Sequence, residues 1–360
     1  MDVAPLVRLG RTGLPIVATL LLVLPVLGVV AVAGDTLGFD FLAYHAAAVR
    51  ILHGQPLYDL SFEAAGGFGL FYYPPMFAPL ILGFGLVSQT AAVWLWLAVL
   101  LASFVIGVVI LPVSRTVRWW IALMAGVGLL FAYSVKLGQV GPILFLLFAI
   151  GWRWLDDPVR MGASSALGTA IKLQPAVVLL WALLTRRWGA IVVGAAILAV
   201  LAVVATLLAG VEAWSDFVRL VGQVADPITT PKNATPGAIA YQLGVAPDVA
   251  SAIQWLAMAV VLGAILVAAR WATAEASYLV AVIASQLLSP VLWDHYAVLL
   301  LLPVAYLCAS GRWWALAIPV ATALPLLGLG PPVIYPAAFG VALVATLWVG
   351  YRAKALEALP

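Results

Sequence analysis

Residues 14–33 read LPIVATLLLVLPVLGVVAVA, an uncharged run of twenty residues, and about 20 apolar residues of helix are what a bilayer core of about 30 Å requires. Arg8 and Arg11 precede the run, as in a secretory signal, but it is span-length and lacks a convincing cleavage site, so it reads as a retained first helix. The rest of the chain repeats the pattern. A window of about 19 residues places further spans near 74–87, 90–112, 119–134, 140–154, 162–184, 189–210, 249–269, 274–288, 295–309, 312–328 and 334–351. That makes about twelve, within the roughly ten to thirteen that the length allows. With 66% hydrophobic and 9% charged residues, and a mean hydropathy of +1.16, no soluble globular surface can be built. The expected fold class is an all-α polytopic membrane protein, one integral membrane domain over residues 1–360.

Two connections are too long for turns, residues 34–73 and 211–248, and by count they fall on the same face. The face with both termini collects Arg8, Arg11, Lys136, Arg186, Arg187, Arg270, Arg312, Arg352 and Lys354 in short segments. The other holds Arg50, Arg115, Arg118, Arg153, Arg160, Arg219 and Lys232, spread over far more loop. Basic residues concentrate on the cytoplasmic side, so both termini are expected in the cytoplasm and both long loops outside the plasma membrane. The basic balance suits anionic lipid headgroups, and no basic run tracks nucleic acid. The single cysteine, Cys308, rules out an intrachain disulfide framework.

The first long connection carries Asp40, Tyr44, Gly54, Tyr58 and Tyr73-Pro74-Pro75. Leu42, Ala46, Val49 and Leu52 recur at helical spacing, with His45, Arg50 and His53 on a polar side, the pattern of a helix lying along the interface. Asp40 is either the N-cap of that helix or a general base at the edge of the hydrocarbon layer; Tyr44 lies one turn on, within reach of the same site. Asp35 reads as a solvated helix end, and His45 and His53 as interfacial.

Lys172 falls within the expected span 162–184, in Ala170-Ile171-Lys172-Leu173-Gln174-Pro175. A charge at the centre of a membrane helix costs at least about 2.5–3.5 kcal/mol, and Pro175 breaks the helix there. Lys172 is either a side chain snorkelling from a shifted span or a cation awaiting a phosphate. Gly138-Gln139-Val140-Gly141-Pro142 interrupts the spans on either side of it, so those form either two crossings or a hairpin buried in protein. In Ser289-Pro290-Val291-Leu292-Trp293-Asp294-His295-Tyr296, Trp293 and Tyr296 suit the membrane interface. Asp294 either caps the next helix or binds polar ligand groups, and His295 can donate to a phosphate oxygen. There is no metal-ligand spacing and no Gly-rich phosphate loop.

The order Asp40, Tyr44, Gly54, Tyr58, Tyr73-Pro74-Pro75, Gly138-Gln139, Lys172-Leu173-Gln174-Pro175, Arg186-Arg187-Trp188, Asn233 and Ser289-Pro290 with Trp293-Asp294-His295 resembles glycosyltransferase family 87 over roughly residues 38–300. It departs where the Gly-Gln pair continues as Val140-Gly141. The resemblance implies a GT-C bundle and transfer of mannose from a polyprenyl-phosphate carrier. Asp40 would be the catalytic base, Lys172 and His295 would hold the donor phosphate, and Tyr44, Tyr73, Gln174, Asn233, Trp293 and Asp294 would contact substrate. Single displacement would invert the anomeric centre without a metal or other cofactor, the acceptor being a glycolipid or envelope glycan that enters between the long loops. A secondary transporter is the rival reading, but no internal repeat gives Lys172 a partner in the second half. A non-catalytic scaffold gives Asp40, Lys172 and His295 no reason to converge.

Overall fold

The computed structural model describes residues 4–60, 70–223 and 227–357, with the side chains of 4–12 and 223 outside the description; parts of both long loops, including Asp226, are likewise outside it. Every regular element among the described residues is helical. In order they are α1 (Ala4–Ala33), α2 (Phe39–Leu52), the one-turn α3 (Ala78–Ile81) between 3-10 turns, α4 (Gln89–Ile110), α5 (Arg115–Val127), α6 (Leu130–Leu137), α7 (Gly141–Arg153), α8 (Pro158–Ile171) and α9 (Ala176–Leu184). Then come α10 (Trp188–Ala209), α11 (Glu212–Gln223), α12 (Pro236–Gln242), α13 (Pro247–Trp271) and α14 (Ala274–Leu287). The 3-10 turn Asp294–Leu300 runs into α15 (Leu301–Ala309), followed by α16 (Ala317–Leu326) and α17 (Ile334–Glu357).

Five helices, α1, α4, α10, α13 and α17, are long and apolar enough to cross a bilayer, or six if α5 and α6, bent by 58°, count as one. Their outer faces are fit for lipid. On α10, Val192, Val200, Val203 and Leu207 are all more than half exposed, a surface that water would not tolerate. Its inner face meets α8 through small residues, for a Cβ on Gly162 would lie 2.5 Å from the Ala190 carbonyl. Close backbone contact of this kind is how helices associate without a hydrophobic driving force between them. α14 is buried from Ala276 to Leu287 and forms the centre.

The expected span 119–134 is broken between α5 and α6, and two further expected spans depart from the helices found. Residues 75–86 do not run to the other end of the bundle. Phe77 packs on Tyr44 at 5.4 Å and Phe84 on Phe41 at 5.4 Å, while Val87 O lies 3.2 Å from His45 Nε2, so both ends of the segment rest on α2. The second is 162–184, which is two helices turning back on each other. Lys172 leaves α8 in extended conformation (φ −140°, ψ 145°), Pro175 starts α9, and Arg187 Nη1 returns to within 2.5 Å of Leu155 O and 3.0 Å of Asp156. Lys172 therefore sits at the tip of a helical hairpin, not within a continuous span.

These two corrections redistribute the charges between the ends of the bundle. Lys136 lies with Asp40, since Gly38 N donates to Lys136 O at 2.9 Å. Arg115, Arg118, Arg153 and Arg160 lie at the far end, joined to the 308–313 turn by a shared cavity and by Trp120 against Trp313. Arg186, Arg187, Arg270, Arg312, Arg352 and Lys354 are there as well, Lys354 bonding Arg270 O at 3.1 Å. Arg8 and Arg11 stand in the first turns of α1, whose other end adjoins Gly38. Twelve of the 17 Lys and Arg thus gather at the end opposite Asp40.

Candidate functional site

The site begins with two glycines. Gly38 (φ 73°) and Gly138 (φ 70°) both occupy the left-handed region, and a Cβ on Gly138 would lie 2.7 Å from Phe41 Cβ and 3.0 Å from Gly38 Cα. Only residues without a side chain allow the start of α2 to touch the break between α6 and α7. Trp96 Nε1 donates to Gly138 O at 2.7 Å, and Phe41 stacks on Trp96 at 5.0 Å, fixing the contact from the apolar side.

That contact delivers Asp40 to Gln139. Gln139 Nε2 donates to Asp40 Oδ2 at 2.5 Å, Tyr73 donates to Gln139 Oε1 at 3.3 Å, and the Tyr73 and Tyr44 hydroxyls bond to each other. Tyr58 donates to Tyr73 O at 2.7 Å. Burial raises the Tyr58 hydroxyl well above the usual tyrosine range, so it stays a neutral donor. The N-cap of α2 is Gly38, without a side-chain bond; the capping role considered for Asp40 is not the one it plays. The buried face of α2 also differs from the expected stripe. Phe41, Tyr44, His45 and Ala48 face inward while Ala46 and Leu52 are exposed, because an aromatic cluster of Phe71, Tyr73, Phe77 and Trp96 covers that side. His45 is buried, whereas Asp35 and His53 are exposed as expected.

Lys172 meets this network from the hairpin tip. Its Nζ lies 5.6 Å from the Tyr73 ring centroid and 4.4 Å from that of Tyr296, and donates to Tyr296 Oη at 3.3 Å. Among the described residues it has no acidic partner within salt-bridge distance, although the Asp40 charge reaches it. Gln174 Nε2 bonds Ser289 Oγ at 2.6 Å and Tyr296 Oη at 2.9 Å. His295 Nδ1 stands 3.6 Å from Asp294 Oδ1, and Tyr133 donates to Asp294 Oδ2 at 3.1 Å. Two buried atoms here bond to no described residue, His295 Nε2 and Gln174 Oε1. An unmet buried polar atom costs about 1–3 kcal/mol, and the loss is recovered if a polar ligand binds.

Asp40, Tyr44, Tyr73, Lys172, Gln174, Asp294 and His295 are thus joined in one polar and aromatic cluster. Trp293 flanks it, its carbonyl accepting from Tyr335 at 2.8 Å. Asn233 is engaged with backbone throughout. It donates to Pro227 O and Pro290 O at 2.7 and 3.1 Å and accepts from Thr235 N and Leu292 N at 3.0 and 2.9 Å. Its amide holds the second long loop to the 290–292 turn. The two long loops meet directly through Tyr58 and Phe217, rings 6.0 Å apart.

Sequence reasoning did not name Tyr133 as a site residue, took Tyr296 as interfacial, and named Gln139 and Ser289 only as members of the family-like order, without a role. For Gln139 the signal was its position after a helix-breaking glycine; for Tyr296 it was adjacency to His295, outweighed by the pull of tyrosine toward membrane interfaces.

The sequence model of glycosyltransferase family 87 matches residues 71–293. A polyprenol-phosphate-mannose-dependent alpha-(1-2)-phosphatidylinositol mannoside mannosyltransferase of Mycobacterium tuberculosis is 31% identical over 292 residues, covering 73% of this chain and 68% of the relative. The match spans Tyr73, Gln139, Lys172, Gln174 and Asn233 and ends at Trp293, and on its extent the chain belongs to glycosyltransferase family 87.

Proposed function

We propose that the enzyme moves a mannosyl group from a polyprenyl-phosphate carrier to a hydroxyl of a glycolipid or cell-envelope glycan, with inversion at the anomeric carbon. The observation that carries this reading is the lysine at the tip of a helical hairpin, held over the rings of Tyr73 and Tyr296, with Tyr73 bonded to the Gln139 that holds the Asp40 carboxylate. A cation that has no acidic partner among the described residues is suited to a phosphate.

Asp40 takes the proton of the acceptor hydroxyl as its oxygen attacks C1 of the sugar. The bond from C1 to the phosphate oxygen breaks, and its electron pair stays on the departing polyprenyl phosphate. Lys172 Nζ and His295 Nε2 neutralise the charge that develops there. Asp294, 3.6 Å from His295 Nδ1, favours the protonated ring when the phosphate arrives. Gln139 and Tyr73 orient the Asp40 carboxylate. Tyr44, fully buried in the aromatic cage and so out of reach of the sugar, holds the Tyr73 hydroxyl, and the mannose lies against Tyr73, Gln174 and Trp293. Asn233 and Asp294 shape the acceptor side between the long loops. With a monophosphate leaving group, a cationic Lys172 and a hydrogen bond from His295, catalysis needs neither a metal nor another cofactor.

The charge distribution supports an orientation. Twelve basic residues at the far end, under the bias of Lys and Arg toward the cytoplasm, favour a reading with both termini inside and the site outside the plasma membrane. The bundle corresponds to a GT-C arrangement with residues 34–73 and 211–248 external. The donor name of the mycobacterial relative supports mannose on a polyprenyl carrier. Incubating purified protein with a panel of labelled polyprenyl-phosphosugars and envelope lipids, with and without a chelator, tests the reading. Chelator-resistant transfer from the mannosyl donor is expected; turnover of another sugar alone, or of none, overturns it.

A further inference from the structure

At the end of the bundle opposite Asp40, the 112–114 turn, the end of α7 and the 308–313 turn enclose a cavity of about 540 Å³, within the usual range for small-ligand sites. Arg118 and Arg153 both line it, with Ser114, Gly311 and Trp313. Arg118 is half-buried and uses only its Nε, which donates to Leu111 O at 3.0 Å; its terminal nitrogens and the guanidinium of Arg153 have no carboxylate partner among the described residues. The nearby acids are engaged elsewhere, Asp156 with Arg187 and Asp157 with Arg160. Both guanidinium groups border the same hollow, so an anion lodged there would meet two like charges at once. Guanidinium forks match phosphate oxygens in pairs, and Trp313, half-exposed against Trp120, is the residue type that settles at headgroup depth.

We infer that this cavity is a phosphate-binding site, separate from the transfer site and independent of the reaction proposed there, which takes the headgroup of an anionic phospholipid or a soluble phosphate group. Basic pockets between helices are the recurrent means of holding anionic headgroups.

The test uses the full chain in phosphatidylcholine nanodiscs, following melting temperature on addition of phosphatidylglycerol or of inorganic phosphate. Wild type is expected to be stabilised. Arg153→Gln, a change at an exposed position, should weaken the apparent affinity by about tenfold or more, the loss of one charge-assisted contact, and adding Arg118→Gln should abolish the response. Stabilisation by phosphatidylglycerol alone assigns the lipid as ligand, and an equal response to inorganic phosphate assigns a soluble group. No stabilisation of wild type by either probe, or an unchanged response in Arg153→Gln, would overturn the assignment.

Discussion

Replacing Lys172 by Met separates the two things a buried charge does. The ammonium makes one hydrogen bond of 3.3 Å and lies over two ring faces at 4.4 and 5.6 Å. A charged donor contributes about 1.5–3 kcal/mol and a desolvated cation–π contact up to about 2 kcal/mol. Partial desolvation of the ammonium at the half-buried hairpin tip opposes these gains with a cost on the order of a few kcal/mol, so the gains and the cost nearly offset. Methionine keeps the length of the stem and loses the charge. Stability should change by no more than about 1–2 kcal/mol, a small shift in melting temperature in matched detergent. Turnover should fall far more. Losing a preorganised group that stabilises developing charge removes about 10²–10³ in kcat, read with labelled polyprenyl-phosphomannose and an envelope-lipid acceptor. The reasoning fails if Lys172→Met turns over within about threefold of wild type, or if it melts so early that unfolding accounts for the loss.

Gly138→Ala forces a Cβ to within 2.7 Å of Phe41 at φ 70°; it should destabilise by about 2–3 kcal/mol and depress activity together with melting temperature. Tyr73→Phe keeps the ring beside Lys172 but removes the hydroxyl between Tyr44 and Gln139, which should cost about 1–3 kcal/mol in stability and lower kcat about tenfold. Asn233→Ala deletes the four bonds to backbone, for an expected loss of about 2–4 kcal/mol in denaturation. Raised acceptor KM with little change in donor KM should accompany it.

The fold class and most residues of the cluster were legible because charge is scarce in this chain. Against so much apolar sequence, Asp40, Lys172 and Asp294-His295 stand out individually, and each reaches the cluster. Topology was less legible, since hydropathy reports what a segment can be buried in and not whether lipid or protein buries it. Residues 75–86 are apolar because they lie under α2 against Tyr44 and Phe41, and no window distinguishes that from a short span. The segment 162–184 has the length of one span, and only the contact of Arg187 with Leu155 reveals that it doubles back. Five or six helices have the length and apolarity of a span where about twelve spans were expected, and the two errors moved Lys136 and four arginines to the wrong end. The inward face of α2 was misjudged for a related reason. Tyr44 and His45 look polar in sequence, yet an aromatic cage and the carbonyl of Val87 accept them.

The central claim is that Asp40 removes the acceptor proton at a phosphate site built by Lys172 and His295. Its most direct test is single-turnover transfer from polyprenyl-phosphomannose by Asp40→Asn, which keeps the shape of the side chain and an acceptor oxygen for Gln139 but not the base. The account predicts folded protein with donor affinity near wild type and a transfer rate lower by about 10²–10⁴; transfer at the wild-type rate in that variant would contradict it.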